Sequence, residues 1–324
     1  MQAIEVQEIL NNAVREHEAG RLGQAEELYK QALEIVPNHP AACHSLAVIA
    51  NQRGQFDLAI ELGERAIKFM PTVPQFYFTV GLAYAQRGKQ DEAIDAFKKA
   101  VVLKPDYAEA YYNLGFILNK QKRCDEAIEN YRKTLQLRPE AARVYNDLAA
   151  AQIWKGDFSG AVESCKKAVS LKPDYAEAYN TMASAMTMQG EYQRAIETYG
   201  RAIEIDAGHI MAHFNRGLVL LMTGDFETGW REYAWRLKVD KGIQKIWDGS
   251  VFEGKRLLVR CEQGMGDSIH FIRYLPMVKE RGGTVIYMDK RPLLPLLRQI
   301  QCIDELVEDS ATDICFDYQI PLLS

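Results

Sequence analysis

Leu103-Lys104-Pro105-Asp106-Tyr107-Ala108-Glu109-Ala110-Tyr111 returns letter for letter as Leu171-Lys172-Pro173-Asp174-Tyr175-Ala176-Glu177-Ala178-Tyr179. The copies lie 68 residues apart, twice 34. Self-similarity at such a period marks stacked supersecondary units, none of which can bury its apolar face alone. On this register residues 6 to about 241 divide into seven units without insertion or deletion, starting at Val6, Pro40, Pro74, Ala108, Ala142, Ala176 and Ile210.

The columns of that register have physical roles. The eighth positions are Ala13, Ala47, Gly81, Gly115, Ala149, Ala183 and Gly217; the twentieth are Ala25, Ala59, Ala93, Ala127, Ala161, Ala195 and Gly229. Small residues fit where two helices cross at close range. Tyr29, Phe97, Tyr131, Tyr199 and Tyr233 fill the twenty-fourth column, where they are expected to pack against the next unit. Gly20, Gly54, Gly88, Gly156, Gly190 and Gly224 suit the left-handed residue that ends a helix. Pro37, Pro71, Pro105, Pro139 and Pro173 are expected to stop the second helix of their units. Departures stand out: Lys122 replaces a turn glycine, Gly63 replaces an aromatic, and unit six ends in Asp206-Ala207-Gly208. Unit seven carries Trp230 and Trp235, expected to pack on the domain that follows.

A helix-turn-helix unit with this period and these columns resembles the tetratricopeptide repeat (TPR). The resemblance implies a mainly α fold, a right-handed solenoid of about seven repeats with a concave groove. Such arrays share architecture and no reaction, so the implied role is binding. The sixth position of each unit, on the first helix, would face the groove: Asn11, Ser45, Thr79, Asn113, Asp147, Thr181 and Asn215. Every one is short and polar, suited to hydrogen-bonding an extended peptide backbone. The row resembles the asparagine ladder of O-GlcNAc transferase, with three asparagines among seven positions. The fifth column adds His44, Phe78, Tyr112, Asn146, Asn180 and Phe214. The expected peptide groove is therefore Asn11, Phe78, Thr79, Tyr112, Asn113, Asn146, Asp147, Asn180, Thr181 and Asn215. A merely solvated face is the other reading of the same row.

Bulk properties narrow the partners. The balance of 39 basic and 44 acidic residues, with no dense basic block, argues against nucleic acid. No apolar run approaches a membrane span, and residues 1–8 lack the layout of a signal peptide. Six scattered cysteines without a Cys-x-x-Cys pair suggest reduced packing thiols, Cys43 and Cys165 among them, and a cytoplasmic protein. Six dispersed histidines give no metal-ligand spacing, so no metal and no cofactor is expected. Homo-oligomerisation stays open.

After Val239 the pattern stops. Residues 241–252 read as a linker, and 253–324 as alternating strands and helices: strand Arg256–Cys261, an amphipathic helix from Ser268, strand Thr284–Met288, helix Pro292–Ile300, strand Glu305–Val307 and a further strand Phe316–Ile320. Such alternation indicates a partial Rossmann-like parallel sheet. The turn Gly264-Met265-Gly266, with Ser268 and His270 after it, would aim backbone N–H groups at an anion; alternatively Asp267 or Ser268 caps the helix. As a nucleotide fingerprint the turn is incomplete: Ile269 stands at the third glycine position, and no acidic residue closes the second strand in the usual ribose-binding place, although Asp289 is near.

The runs Trp247-Asp248-Gly249, Gly254-Lys255-Arg256-Leu257-Leu258 and Glu262-Gln263-Gly264-Met265-Gly266-Asp267-Ser268-Ile269-His270-Phe271 resemble the glycosyltransferase domain of bacterial TPR proteins. That domain is similar to the ADP-heptose:lipopolysaccharide heptosyltransferases and more loosely to O-GlcNAc transferase. The resemblance implies that Asp267 is the candidate general base for an acceptor hydroxyl and that Gly264, Gly266, Ser268 and His270 are ligand-binding. It also implies a nucleotide-sugar as donor in a longer protein. Such enzymes use two Rossmann-like halves and this chain ends within the first, so catalysis is not expected of these 324 residues alone and an uncovered sheet edge is expected. The layout is then a tail over residues 1–5, seven repeats over 6–240, the linker and the α/β segment. The expected function is a protein-interaction scaffold attached to the start of a glycosyltransferase-like domain, or else an interaction protein whose α/β segment only caps the repeats.

Overall fold

The computed structural model describes residues 2–238, 245–261 and 264–322, in two compact units that divide at Ala207/Gly208. Residues 241–244 of the expected linker lie outside the described residues, as do Val239, Glu262 and Gln263 of the sequence runs quoted above, and Leu323 and Ser324.

The first unit is all helical. Its pairs are α1 Gln2–Glu18 with α2 Leu22–Ile35, α3 Pro40–Gln52 with α4 Phe56–Phe69, and α5 Pro74–Gln86 with α6 Gln90–Leu103. Then follow α7 Ala108–Lys120 with α8 Cys124–Leu137, α9 Ala142–Lys155 with α10 Phe158–Leu171, and α11 Ala176–Met188 with α12 Tyr192–Ile205. This is a TPR solenoid. The helix crossings are dry: Ala25, Ala59, Ala93, Ala127, Ala161 and Ala195 are all fully buried. The eighth-column glycines make room for the twenty-fourth-column rings of their own units. A Cβ on Gly81 would lie 2.7 Å from the Phe97 ring, and one on Gly115 3.1 Å from the Tyr131 ring. Phe97 and Tyr131 also share one core cluster with Leu114, Leu118, Val144 and Leu148, so each ring joins its own pair to the next.

The departures resolve individually. Lys122 adopts φ +60°, the left-handed conformation of the glycines elsewhere in its column. At Gly63 the Val80 side chain takes the space, 2.3 Å from where a Cβ would sit. Without a proline, α12 still ends at Ile205, its cap amide on Asp206 bonding to Ala202 O as the Lys172 amide bonds to Ala168 O. The prolines are therefore compatible with the stop and are not its cause. Cys43 and Cys165 are fully buried, and burial pushes the Cys165 thiol up to about 12.

The second unit holds α13 Ile210–Thr223, α14 Phe226–Tyr233, a 3-10 turn Ala234–Lys238 and a parallel sheet. Trp235 stacks flat on His213, centroids 3.7 Å apart, with Lys238 Nζ 3.2 Å from its ring centroid. Trp230 is 53% exposed and borders a cavity of about 410 Å³ against Trp247, Val259 and Leu275 rather than filling it.

The strands are β1 Arg256–Arg260, β2 Thr284–Asp289, β3 Glu305–Glu308 and β4 Tyr318–Pro321, in the order β3-β2-β1-β4. Between them lie α15 Met265–Phe271, α16 Leu275–Lys279 and α17 Leu294–Leu297. The two long helices expected here are broken into short pieces because Pro276 and Pro295 lack the amide that would continue each helix. The outer edge of β4 is covered, while β3 forms the other end of the sheet, paired with β2 alone among the named strands. Trp247 N donates to Gln319 O at 2.9 Å and Gln319 N to Lys245 O at 3.0 Å, so the preceding chain folds back as a short parallel partner. Neither face is bare: Leu257, Val259, Val285 and Tyr287 pack with Leu275, Leu293 and Leu297, while Leu258, Ile286 and Met288 pack with Val307, Ile314 and Phe316. Among the described residues no helix is long and apolar enough to cross a membrane.

Candidate functional site

On an α-helix, positions two, five, six and nine share one face. The fifth and sixth columns of successive units meet across that face. His44 Nε2 lies 2.9 Å from Thr79 Oγ1, and Tyr112 Oη donates to Asp147 Oδ2 at 2.9 Å. Both links join a fifth-column residue to the sixth-column residue of the next unit, 35 positions on. They form rungs along the first helices. Asn51 Nδ2 adds a bond to Thr79 O at 3.0 Å, and Asn113 Nδ2 bonds back to Glu109 O at 2.7 Å within its own helix.

The expected groove residues differ in access. Thr79, Asn146, Asn180 and Thr181 are buried. Phe78, Tyr112, Asn113, Asp147 and, in the second unit, Asn215 are half-buried, and Asn11 is exposed. Phe78 sits between the Tyr107 and Phe97 rings, at 4.9 and 5.7 Å, so its ring is a fixed apolar surface. Arg143 brings Nε to 3.9 Å from Asp147 and lies over the Tyr112 ring at 5.7 Å.

Burial sets the electrostatics of the row. It pushes the His44 imidazole down to about 4, only partly opposed by a backbone bond with Gln75. It raises the Asp147 carboxyl above its ordinary range, while the Tyr112 hydrogen bond and Arg143 pull it back. The Tyr112 and Tyr131 hydroxyls are pushed far up, first by burial and then by the nearby Asp147 charge. Both hydroxyls stay protonated at neutral pH, and that of Tyr112 donates to Asp147. Arg143 and Asn51 escaped the column reading. They occupy positions two and twelve, which three- and four-residue spacing from the fifth and ninth columns would have marked.

At the glycine turn, the Gly264 amide donates to Asp267 Oδ2 at 3.1 Å while Asp267 N bonds to Gly264 O at 3.1 Å. The Asp267 carboxylate thus closes the start of its own seven-residue helix. Gly264 and Gly266 are exposed, Ser268 is buried, and His270 is exposed beside Arg273, 3.1 Å away. Asp289 is fully buried, accepting from Tyr287 Oη at 2.9 Å and Lys290 N at 2.7 Å. Its carboxylate is committed inside the fold. Burial and the Asp289 charge push the neighbouring Cys261 thiol up to about 11. Among the described residues no cluster could hold a metal ion.

Solved structures share this architecture. A tetratricopeptide repeat protein from Parabacteroides merdae is 18% identical, covering 71% of this chain and 91% of its own, with a TM-score of 0.55. YrrB, a TPR protein with an unusual peptide-binding site, is also 18% identical, over 57% of this chain and 95% of its own, with a TM-score of 0.53. These two likenesses show the fold. MamA is 28% identical over 53% of this chain and 94% of its own, at a TM-score of 0.49. No curated protein matches the chain. The family model of the cilia and flagella-associated protein 70 C-terminal domain matches residues 3–216. With well over half of its length inside that match and the repeat geometry above, the chain belongs to this TPR family.

Proposed function

We propose that the chain is an interaction scaffold that holds an extended segment of another protein along the fifth and sixth columns of its repeats. The observation that carries this reading is the pair of rungs, His44–Thr79 and Tyr112–Asp147. They fix the first helices of neighbouring units in register and leave Phe78, Asn113 and Asp147 partly accessible between them. An extended peptide presents a donor and an acceptor at each residue. Short amides, hydroxyls and carboxylates answer both, and the Phe78 ring supplies apolar contact. YrrB, a TPR protein with an unusual peptide-binding site, shows that this fold can hold a peptide. The test is calorimetric. Peptides selected from a random display library on the full chain are titrated into the wild type, a Phe78→Ala/Asn113→Ala variant and a control, Glu129→Ala, at an exposed position of α8. Affinity that falls roughly tenfold in the groove variant alone supports the reading; equal affinity for all three overturns it.

A second reading is favoured by the parallel order β3-β2-β1-β4, which winds outward from β1 in both directions. In it, residues 253–324 are the first part of a Rossmann-like glycosyltransferase domain, joined through 241–252 to repeats spanning 6–240. Such winding puts a crevice at the carboxyl ends of β1 and β4, next to the glycine turn. Asp267 would have to leave the Gly264 amide to act as a base, with Gly264, Gly266, Ser268 and His270 around the nucleotide-sugar. Titration of nucleotide-sugars into this chain and into one ending at Lys241 decides the matter. Binding by the longer form alone supports the reading; no binding by either leaves the α/β segment as a cap on the repeats.

A further inference from the structure

Two buried polar groups are unsatisfied near the Tyr112–Asp147 rung, one on Asn146, next to Asp147 in the chain, and one on Tyr131, whose ring faces Tyr112. Asn146, 6% exposed on α9, has no hydrogen-bond partner for Oδ1, and neither has the hydroxyl of fully buried Tyr131. The Tyr131 ring lies 6.1 Å from that of Tyr112, and its hydroxyl is close enough to Asp147 to feel its charge. Leaving a buried polar atom unpaired costs about 1–3 kcal/mol, a cost relieved when a donor arrives. The Asn146 carbonyl and the Asp147 carboxylate are acceptors, and Tyr131 Oη can accept as well. The charges point the same way. The Asp147 carboxylate carries a negative charge here, and its ion-pair partner Arg143 stands 3.9 Å away with its side chain 73% exposed.

We propose that Asp147, held by Tyr112 and backed by Asn146 and Tyr131, is the subsite of the groove that takes a lysine or arginine side chain of the bound peptide. A cationic head supplies several N–H donors at once and pairs with the Asp147 carboxylate more closely than Arg143 does. Arg143 swings outward, its side chain already mostly in solvent. The Tyr112 ring and its Phe116 neighbour, stacked at 6.4 Å, provide an apolar wall for the aliphatic stem. This inference rests on the groove reading and gives it a chemical preference.

The test selects peptides from a random display library on the wild-type chain and on Asp147→Asn, which keeps the size and an acceptor for Tyr112 but removes the charge. The expected result is enrichment of Lys and Arg in the wild-type pool. Those peptides should lose roughly tenfold in affinity for Asp147→Asn, with weaker salt dependence. Tyr112→Phe, which keeps the carboxylate, should retain the Lys/Arg preference. Peptides that depend on Phe78 and Asn113 but show no basic enrichment, or the same enrichment on Asp147→Asn, overturn the inference and leave the groove reading standing. Loss of the preference in Tyr112→Phe to the same extent as in Asp147→Asn also overturns it, by making the pair structural. Failure to select any peptide overturns both.

Discussion

His44 Nε2 stands 2.9 Å from Thr79 Oγ1, one unit away along the row of first helices, with the Phe76 ring 4.7 Å from the imidazole. Burial there holds the imidazole neutral, at about 4 against an ordinary 6.5. The folded form therefore resists a proton that the unfolded chain takes readily. The stability involved is fully present above about 6.5 and is lost as pH falls toward about 4. The amount at stake is at most ~3 kcal/mol. Wild type should lose more melting temperature between pH 7 and pH 4 than His44→Gln, as followed by circular dichroism; identical pH profiles would contradict it.

Lys122 adopts a conformation that costs an L side chain roughly 1 kcal/mol, partly repaid by its ammonium 5.3 Å from the Trp154 ring. Lys122→Gly should raise the denaturation midpoint by an amount worth about 0.5 kcal/mol. A lower midpoint would show that the contact with Trp154 outweighs the backbone strain.

Gly63 and Val80 form a complementary pair, the valine methyl occupying the site of a Cβ. Gly63→Ala alone should destabilise by about 1–3 kcal/mol through overpacking. Val80→Ala added to it should recover part of that loss, a coupling that a double-mutant cycle in urea measures directly. Additive losses would mean that the two positions do not share the space.

The solenoid was legible because its columns are repeated, and repetition averages out single departures such as Gly63 and Lys122. The rungs were only half legible. Their polarity stands out in the fifth and sixth columns, but pairing across 35 residues depends on the stagger between neighbouring units, which no single unit encodes. A second set of links went unread. Arg87–Asp57 at 2.8 Å, Gln121–Asp91 at 3.0 Å, Lys155–Asp125 at 2.5 Å and Gln189–Ser159 at 2.9 Å all join the fourteenth position of one unit to the eighteenth of the unit before. The aspartates at 57, 91 and 125 were the signal. In the α/β segment the strands were legible from their β-branched and apolar runs. The helices were misjudged because Pro276 and Pro295 fit the apolar spacing while interrupting the backbone ladder. Asp267 was legible as a residue poised at a helix start, and the Gly264 amide shows how its carboxylate is occupied.

Those interunit links are exposed, and such ion pairs contribute little in water. Lys155→Ala should leave the melting temperature within error of wild type at physiological salt. A clear drop would mean that the links, rather than the packed alanine and aromatic columns, hold neighbouring units together.

The central claim is that the face carrying Phe78, Asn113 and Asp147 is where a partner segment lies. Photo-crosslinking tests it most directly, with benzoylphenylalanine placed in turn at Asn113 and at Glu129 on the second helix of the same unit, and display-selected peptides as the probe. The account predicts crosslinks to peptide from position 113 and none above background from 129. Crosslinks from 129 with none from 113 would place binding on the other side of the repeats and contradict it.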